Sequence, residues 1–364
     1  MVDNKIRKAD WKKLVIPVGF ALVTFALTEV FSRFPAVTES IYSQSVFPAT
    51  ATLLSFLNKW VPFSIDDFFY GLLIISFFSL IIFTLFRKIT IAKSIRLFIQ
   101  TIAICYAAFY WLWGFNYYRL NLNDRLDINR ASTDTVQFIS VLKNLIDETN
   151  ATYCSFDSIS KPEISRLVES SYQNHAAFLK IKYPHGTRVP KPITLSSFFA
   201  KAGISGYYGP FFSEIHLNDS LLMIEYPQVL AHESAHQFGI TSEAEANFYS
   251  WLVCNQSHSK HLKYSANINL LGYFLVQARK LHQYPELIKS IREPVINDFR
   301  RIQKHWDQMR DEQIDKAAEK VNDAYLKTNK IKNGIDDYFG VVQFVMDYKT
   351  DAEAQKKVSS RSSQ

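Results

Sequence analysis

Three apolar stretches in the first third of the chain constrain the fold most strongly, because each is long enough to cross a bilayer. The most apolar covers residues 68–86 (FFYGLLIISFFSLIIFTLF) and contains no charge. Residues 97–115 are also uncharged, and residues 14–31 carry only Glu29. About 20 predominantly apolar residues span the hydrocarbon core as a helix. We therefore predict transmembrane helices at 14–31, 68–86 and 97–115. No small-residue cleavage site follows the first stretch, so we expect a retained helix rather than a signal peptide.

Basic residues flank these stretches unevenly, and this asymmetry predicts the topology. One cluster precedes the first stretch, and another fills the loop between the second and third; their members are Lys5, Arg7, Lys8, Lys12, Lys13, Arg87, Lys88, Lys93 and Arg96. Cytoplasmic loops carry an excess of Lys and Arg. We expect a cytoplasmic N-terminus, a multi-pass membrane protein and everything after residue 116 outside the cytoplasm. The net charge of +7 reflects this topology, so a lipid bilayer is the expected partner and nucleic acid is not.

The remainder of the chain has the composition of a soluble, mainly helical domain. We predict a membrane domain over residues 1–116, a second domain over 117–350, and a polar tail over 351–364. Apolar periodicity predicts helices at about 134–148, 161–181, 228–238, 242–256, 260–281, 285–307, 311–328 and 336–348. Two segments predict strands, ITLSSFF (193–199) and FFSEIHLND (211–219). The expected fold class is mainly α, with three N-terminal transmembrane helices and a small β-sheet in the outer domain.

The segment AHESAHQFGITSEAEANF (231–248) carries the chemistry. His232 and His236 are four residues apart, so one helical face presents both imidazoles. Glu233 follows the first histidine directly. In this H-E-x-x-H arrangement the histidines bind zinc and the glutamate acts as general base. A catalytic zinc site takes three protein ligands and keeps one position open.

Two acids compete for the third ligand position. Gly239 is suited to end the first helix and Ser242 to cap the next. Glu245 stands where a capping-box glutamate closes on Ser242, which leaves Glu243 for the metal. We predict a Zn²⁺ site formed by His232, His236 and Glu243, with Glu245 as the alternative ligand. Asn247, one turn further, is expected to orient Glu243.

The motif segment resembles zincin metallopeptidases in which a Glu-x-x-Ala-Asn/Asp motif supplies the third ligand; this likeness implies Glu243 as that ligand. The whole chain resembles an uncharacterised bacterial membrane family, the domain of unknown function 3810. The matching pieces are WGFNYYR (113–119), SGYYGPFFSEIHLN (205–218), the metal motif, KYSA (263–266) and NDAYLKTN (322–329). The zincin likeness also implies an edge strand beside the metal that pairs with substrate backbone, and FFSEIHLN is the candidate.

These observations together predict a zinc-dependent metallopeptidase with a zincin-like catalytic domain on the outer face of a bacterial inner membrane. Its expected substrate is polypeptide, with membrane-proximal segments included. Two alternatives stay open: a non-catalytic membrane-anchored zinc-binding protein, and a zinc hydrolase of cell-wall or lipid amides. Tyr264 or Tyr273 is a candidate donor to a tetrahedral oxyanion. A disulfide between Cys154 and Cys254 is compatible with an oxidising compartment.

Overall fold

The computed structural model describes residues 2–131, 134–182, 188–331, 334–352 and 355–356. It divides into two compact units. The first comprises Met1–Arg119 and Gly209–Glu214, and the second comprises Leu120–Tyr208 and Ile215–Gln364. Most of the predicted polar tail, and part of the Pro- and Gly-containing stretch before residue 190, lie outside the described residues.

Helices dominate both units. The α-helices in chain order are α1 Val2–Arg33, α2 Pro35–Val37, α3 Phe47–Asn58, α4 Ile65–Leu85, α5 Ile91–Leu112, α6 Leu122–Leu126, α7 Thr135–Thr152, α8 Lys161–His175, α9 Ser196–Lys201, α10 Tyr226–Gln237, α11 Glu243–Asn255, α12 Lys260–Ala278, α13 Tyr284–Lys289, α14 Glu293–Asp307, α15 Glu312–Thr328 and α16 Val341–Thr350. A π-helix covers Thr38–Val46, and 3₁₀ helices cover Gly114–Tyr118 and Gly334–Gly340.

The first unit contains three helices that are long and apolar enough to cross a membrane. They cover Lys13–Arg33, Ile65–Leu85 and Ile91–Leu112. None of the apolar window in α4 is buried against protein, as expected for a helix that faces lipid. The three predicted membrane-spanning stretches are thus confirmed as long apolar helices. Between the first two, the chain is helical in α3 and in the π-helix, whose Glu39 forms a buried ion pair with Arg119 at 2.6 Å.

The segment Gly209–Glu214 belongs to the first unit, which no local sequence pattern indicates. Its Phe211 ring lies 4.9 Å from the ring of Phe69 in α4. The Oε2 atom of Glu214 accepts hydrogen bonds from the backbone nitrogens of Ile65 and Asp66, at 2.8 and 3.0 Å. These contacts satisfy amide groups in the first turn of α4, which have no partner within the helix.

The second unit packs its helices around a single apolar core. Helix α11 lies at its centre, with Phe248, Tyr249 and Trp251 almost fully buried. A small sheet of three strands, β1 Lys191–Pro192, β2 Gly206–Gly209 and β3 Glu214–Leu217, has the order β1-β3-β2. Strands β1 and β3 are parallel, with Lys191 opposite His216. The prediction of a mainly helical chain with a small sheet is confirmed.

Several boundaries differ from the predictions. The segment 193–199, predicted as a strand, is not one. Its last four residues lie in helix α9, which continues to Lys201, and strand β1 ends just before the segment begins. Strand β3 lies between two others, so the prediction that this segment is the edge strand is wrong; β2 is an edge. The predicted helix 285–307 is divided into α13 and α14, because Pro294 has no N–H to donate to the Ser290 carbonyl and its ring would clash with that carbonyl in a continuous helix.

The cysteines correct another prediction. Cys105, Cys154 and Cys254 are all free thiols. Cys254 lies fully buried in α11, and burial raises the pKa of its thiol. The suggested bridge between Cys154 and Cys254 is therefore absent from this structure.

Candidate metal centre

Helix α10 carries the H-E-x-x-H motif, and all of its residues are buried. A helix in that position is normally apolar on every face, yet this one buries His232, Glu233 and His236. Ionisable side chains are rarely buried without partners. Their placement indicates a polar site within the second unit rather than a solvated helix surface.

A tight turn connects α10 to the next helix. Gly239 has a φ of +81°, a left-handed conformation that glycine adopts without steric cost. The backbone nitrogen of Ile240 donates to the Ala235 carbonyl at 3.1 Å, which closes the end of the helix. The Ser242 hydroxyl then caps α11 by accepting from the Glu245 nitrogen at 3.3 Å. Both predicted boundaries, Gly239 and Ser242, are confirmed.

This turn brings the three predicted ligands together. The Nε2 atoms of His232 and His236 lie 3.1 Å apart. One carboxylate oxygen of Glu243, Oε2, lies 3.0 Å from the first and 3.5 Å from the second. In a tetrahedral site with zinc–ligand bonds of about 2.0–2.1 Å, ligand atoms are about 3.3 Å apart. The three distances agree with that spacing.

The hydrogen bonds of the imidazoles determine which nitrogens face one another. The Nδ1 atom of His236 donates to the Ile240 carbonyl at 2.6 Å, and Nδ1 of His232 donates to Oδ1 of Asn247 at 2.9 Å. In the neutral rings both Nε2 atoms therefore carry lone pairs that point toward each other and toward a carboxylate. Three acceptors in contact require a cation or a proton between them.

Without a metal, a proton fulfils this role. Burial alone lowers the pKa of His236, but the adjacent Glu243 carboxylate outweighs burial and raises the pKa to about 9. Burial likewise raises the pKa of Glu243, and the positive charge on His236 outweighs it, so that the pKa of Glu243 lies well below its usual range. At neutral pH the metal-free cluster therefore holds a proton on His236, as an ion pair with Glu243.

Glu233 lies beside this cluster with an unsatisfied oxygen. Its side chain is 4% exposed, and Oε2 has no hydrogen-bond partner among the described residues. Burial raises its pKa, and His232 and His236 oppose that increase. Leaving a buried carboxylate oxygen unpaired is costly, so this oxygen is an acceptor that a hydrogen-bond donor at the cluster would stabilise.

The structure separates the two competing glutamates. Glu245 turns away from the histidines: Oε2 accepts from Arg125 at 2.6 Å and Oε1 from the Leu122 nitrogen at 2.9 Å. Its carboxylate therefore stabilises α6. The prediction that this carboxylate closes a capping box on Ser242 is wrong. Neither Arg125 nor Leu122 carries a sequence pattern that identifies this role.

The other predicted residues of the site have mixed outcomes. Asn247 contacts His232 rather than Glu243, and its Nδ2 donates to the Tyr273 hydroxyl at 3.3 Å. Tyr264 is committed elsewhere, since its hydroxyl donates to Asp298 at 2.7 Å. Tyr338, which the sequence did not identify, is close enough to Glu243 and Glu233 that both carboxylates add to the effect of burial and raise its pKa well above 10.

Strands β2 and β3 approach the site through Gly206 and His216. A Cβ atom at Gly206 would lie 2.9 Å from Oε1 of Glu233 and 2.9 Å from the His216 carbonyl oxygen. The His216 ring is fully buried and stacks on Tyr207 at 4.3 Å between centroids. A side chain at position 206 would displace the Glu233 carboxylate. The present contact between this carboxylate and the sheet therefore requires glycine at that position.

Fold and site together define a mainly helical protein with three candidate membrane-spanning helices and a buried His-His-Glu cluster in its second unit. The chain belongs to the DUF3810 family, described as proteins of unknown function, whose family model matches residues 42–346. The matched region includes the cluster and two of the apolar helices.

No curated protein and no solved structure matches the chain.

Proposed function

We propose that this protein is a membrane-anchored zinc metallopeptidase with a zincin-like catalytic domain. The observation that carries the proposal is the convergence of His232, His236 and Glu243 on one point, with the orphaned oxygen of Glu233 beside it. Two imidazole nitrogens and a carboxylate oxygen form a donor set that fits zinc. Zinc bound there would act as a Lewis acid that activates water and polarises a carbonyl group.

The residues of the chain then have separate roles. The metal is held by His232, His236 and Glu243. Hydrogen bonds to Asn247 and to the Ile240 carbonyl fix the orientation of the first and second imidazole ring, respectively. Glu233 accepts a proton from the attacking water at its free Oε2 and passes it to the leaving amine. Its raised pKa brings it nearer to the operating pH, as suits a general base.

Two phenols are available as hydrogen-bond donors near the cluster. Burial raises the pKa of Tyr273 to about 12, and burial also raises the pKa of Tyr338 well above its ordinary value. Both therefore remain protonated at neutral pH. A protonated phenol stabilises negative charge that develops on a carbonyl oxygen, and we assign this role to Tyr338 or Tyr273 in place of Tyr264.

The basic flanks of the apolar helices support a location in a bacterial inner membrane. Lys13 begins the first candidate span, and Arg87, Lys88, Lys93 and Arg96 lie between the second span and the apolar part of the third. By the positive-inside rule, this distribution orients the N-terminus to the cytoplasm. Three crossings then place the second unit outside the cytoplasm. Polypeptide segments near the membrane are the substrates that such a site would meet.

The test compares the full chain with Glu233→Gln, using exposed Glu286→Gln as the matched control. Each zinc-loaded protein is incubated in detergent with a mixed peptide library, and cleavage products are identified by mass spectrometry. We expect cleavage by the wild type and the control, and zinc retention without cleavage in Glu233→Gln. Equal cleavage by all three would refute the mechanism.

The same experiment separates the alternatives. If all three proteins bind zinc and none cleaves peptides, a parallel assay on amide-linked cell-wall fragments and N-acyl lipids is decisive. Hydrolysis there that depends on Glu233 would identify a different amide hydrolase. No hydrolysis of any amide would favour a non-catalytic zinc-binding protein.

A further inference from the structure

The 3₁₀ helix Gly334–Gly340, which we call the clasp segment, contacts the first turn of α11. The Oδ2 atom of Asp337 accepts from the Ser242 hydroxyl at 2.8 Å and from the Ala244 backbone nitrogen at 3.3 Å. These two donors belong to the residues on either side of Glu243. A single carboxylate oxygen therefore fixes the backbone that carries the third predicted ligand.

A second set of contacts attaches the same segment on the histidine side. The ring of Phe339 packs edge-on against Tyr273, with centroids 5.7 Å apart. The Tyr273 hydroxyl accepts from Asn247, which holds His232. A Cβ at Gly340 would lie 3.0 Å from the Cβ of Ala244, so the segment packs closely against α11. The clasp segment thus contacts the supports of both a histidine and the glutamate.

Glu243 depends on such support because of its position. It is the first residue of α11, where amide groups lack partners within the helix and the ends of helices fray. Asp337 supplies an acceptor to one of these amides and also adds negative charge near a predicted cation site. Asp337 lies about a hundred residues further along the chain, so this support is tertiary and local sequence does not indicate it.

We propose that the clasp segment closes the metal centre, with Asp337 as a positioning residue that holds Glu243 in its ligating position. The inference rests on the proposed zinc site and adds which residue holds Glu243 in position within that site. It predicts that metal binding and the attachment of residues 334–340 are coupled, so that each stabilises the other.

The first test measures zinc affinity by competition with a chelator in the full chain. Removal of a residue that supports a ligand typically costs 10- to 100-fold in metal affinity, and we expect a loss of about that size for Asp337→Ala. The neighbouring Asp336→Ala, whose side chain is exposed, is the matched control and should leave the affinity unchanged. Asp337→Asn retains an acceptor oxygen and should recover most of the affinity.

The visible absorption of the cobalt-substituted proteins provides a readout that a general loss of stability would not change. We expect an altered spectrum in Asp337→Ala and a wild-type spectrum in Asp336→Ala, because the spectrum reports ligand geometry. A wild-type zinc affinity together with a wild-type cobalt spectrum in Asp337→Ala would overturn the proposed role of Asp337. A wild-type protein that binds no metal would instead overturn the proposed zinc site.

Hydrogen exchange in the unmodified chain tests the coupling without any variant. Amides of residues 334–340 should exchange more slowly with zinc than with chelator, while amides in the distant helix α7 should not change. Equal exchange of the clasp segment in both conditions, in a protein that demonstrably binds zinc, would overturn the proposal.

Discussion

Glu243 and Glu245 occupy the same turn of α11, and the structure predicts opposite consequences for their substitution. Glu245 is paired with Arg125, and the two side chains are 9% and 2% exposed. Glu243 faces the two histidines. Substituting each by glutamine in turn therefore separates a structural carboxylate from a predicted ligand, at matched size and only two positions apart.

The magnitude for Glu245→Gln follows from the buried ion pair. Removing one partner leaves the Arg125 guanidinium buried without its counter-charge, which costs about 3–5 kcal/mol. With a urea dependence of about 3 kcal/mol per M or less, the unfolding midpoint should fall by about 1 M or more. Glu243→Gln should lower the midpoint of the metal-free protein less, because its partner His236 can lose its proton when the carboxylate is removed, whereas the Arg125 guanidinium stays charged.

The assay follows tryptophan fluorescence, to which buried Trp251 contributes, during urea unfolding in detergent, with zinc affinity measured on the same proteins. We expect Glu245→Gln to show the larger loss of stability and to keep zinc, and Glu243→Gln to show the smaller loss of stability and to lose zinc. The reverse pattern would assign the third ligand to Glu245. Equal losses of stability in both variants would refute the separation of roles.

Three further predictions concern the remaining residues of the site. Gly206→Ala should displace the Glu233 carboxylate, since the added Cβ would lie 2.9 Å from Oε1; peptide cleavage should fall at least 10-fold while zinc content stays constant. His236, with a pKa of about 9 in the metal-free protein, must lose its proton when a metal binds. Calorimetry in buffers of different ionisation enthalpy should detect about one proton released per zinc bound at pH 7. The apparent zinc affinity should rise about 10-fold per pH unit up to pH 9; a zinc affinity independent of pH would contradict this. The raised pKa of His236 stabilises the metal-free fold, and this contribution is fully present below pH 6.5. The urea unfolding midpoint of the metal-free protein should therefore fall as the pH increases from 6.5 to 9.

The local features of the fold were predictable because they depend on local patterns. Apolar runs of membrane length identified α1, α4 and α5. The histidine spacing, with Gly239 and Ser242 at the helix ends, located α10 and α11 and brought Glu243 to the histidines. Each of these inferences uses residues within one or two helical turns of each other.

Features that depend on distant contacts were not predictable in the same way. Arg125 pairs with Glu245 across 120 residues of sequence, and Asp337 accepts from Ser242 across 95. The Gly209–Glu214 segment associates with the first unit through Phe211 and Glu214. Such contacts depend on tertiary packing, which outweighs local preference and which hydrophobic periodicity does not encode.

The metal content of the purified full chain tests the proposed zinc site most directly. Zinc is counted by mass spectrometry after extensive dialysis of the wild type, His232→Ala, His236→Ala and Glu243→Ala, with His282→Ala as a control whose side chain lies outside the cluster. We predict about one zinc per chain in the wild type and the control, and strong loss in each of the three ligand variants. Zinc-free wild type, or zinc retained in the three variants as in the control, would contradict the metal centre.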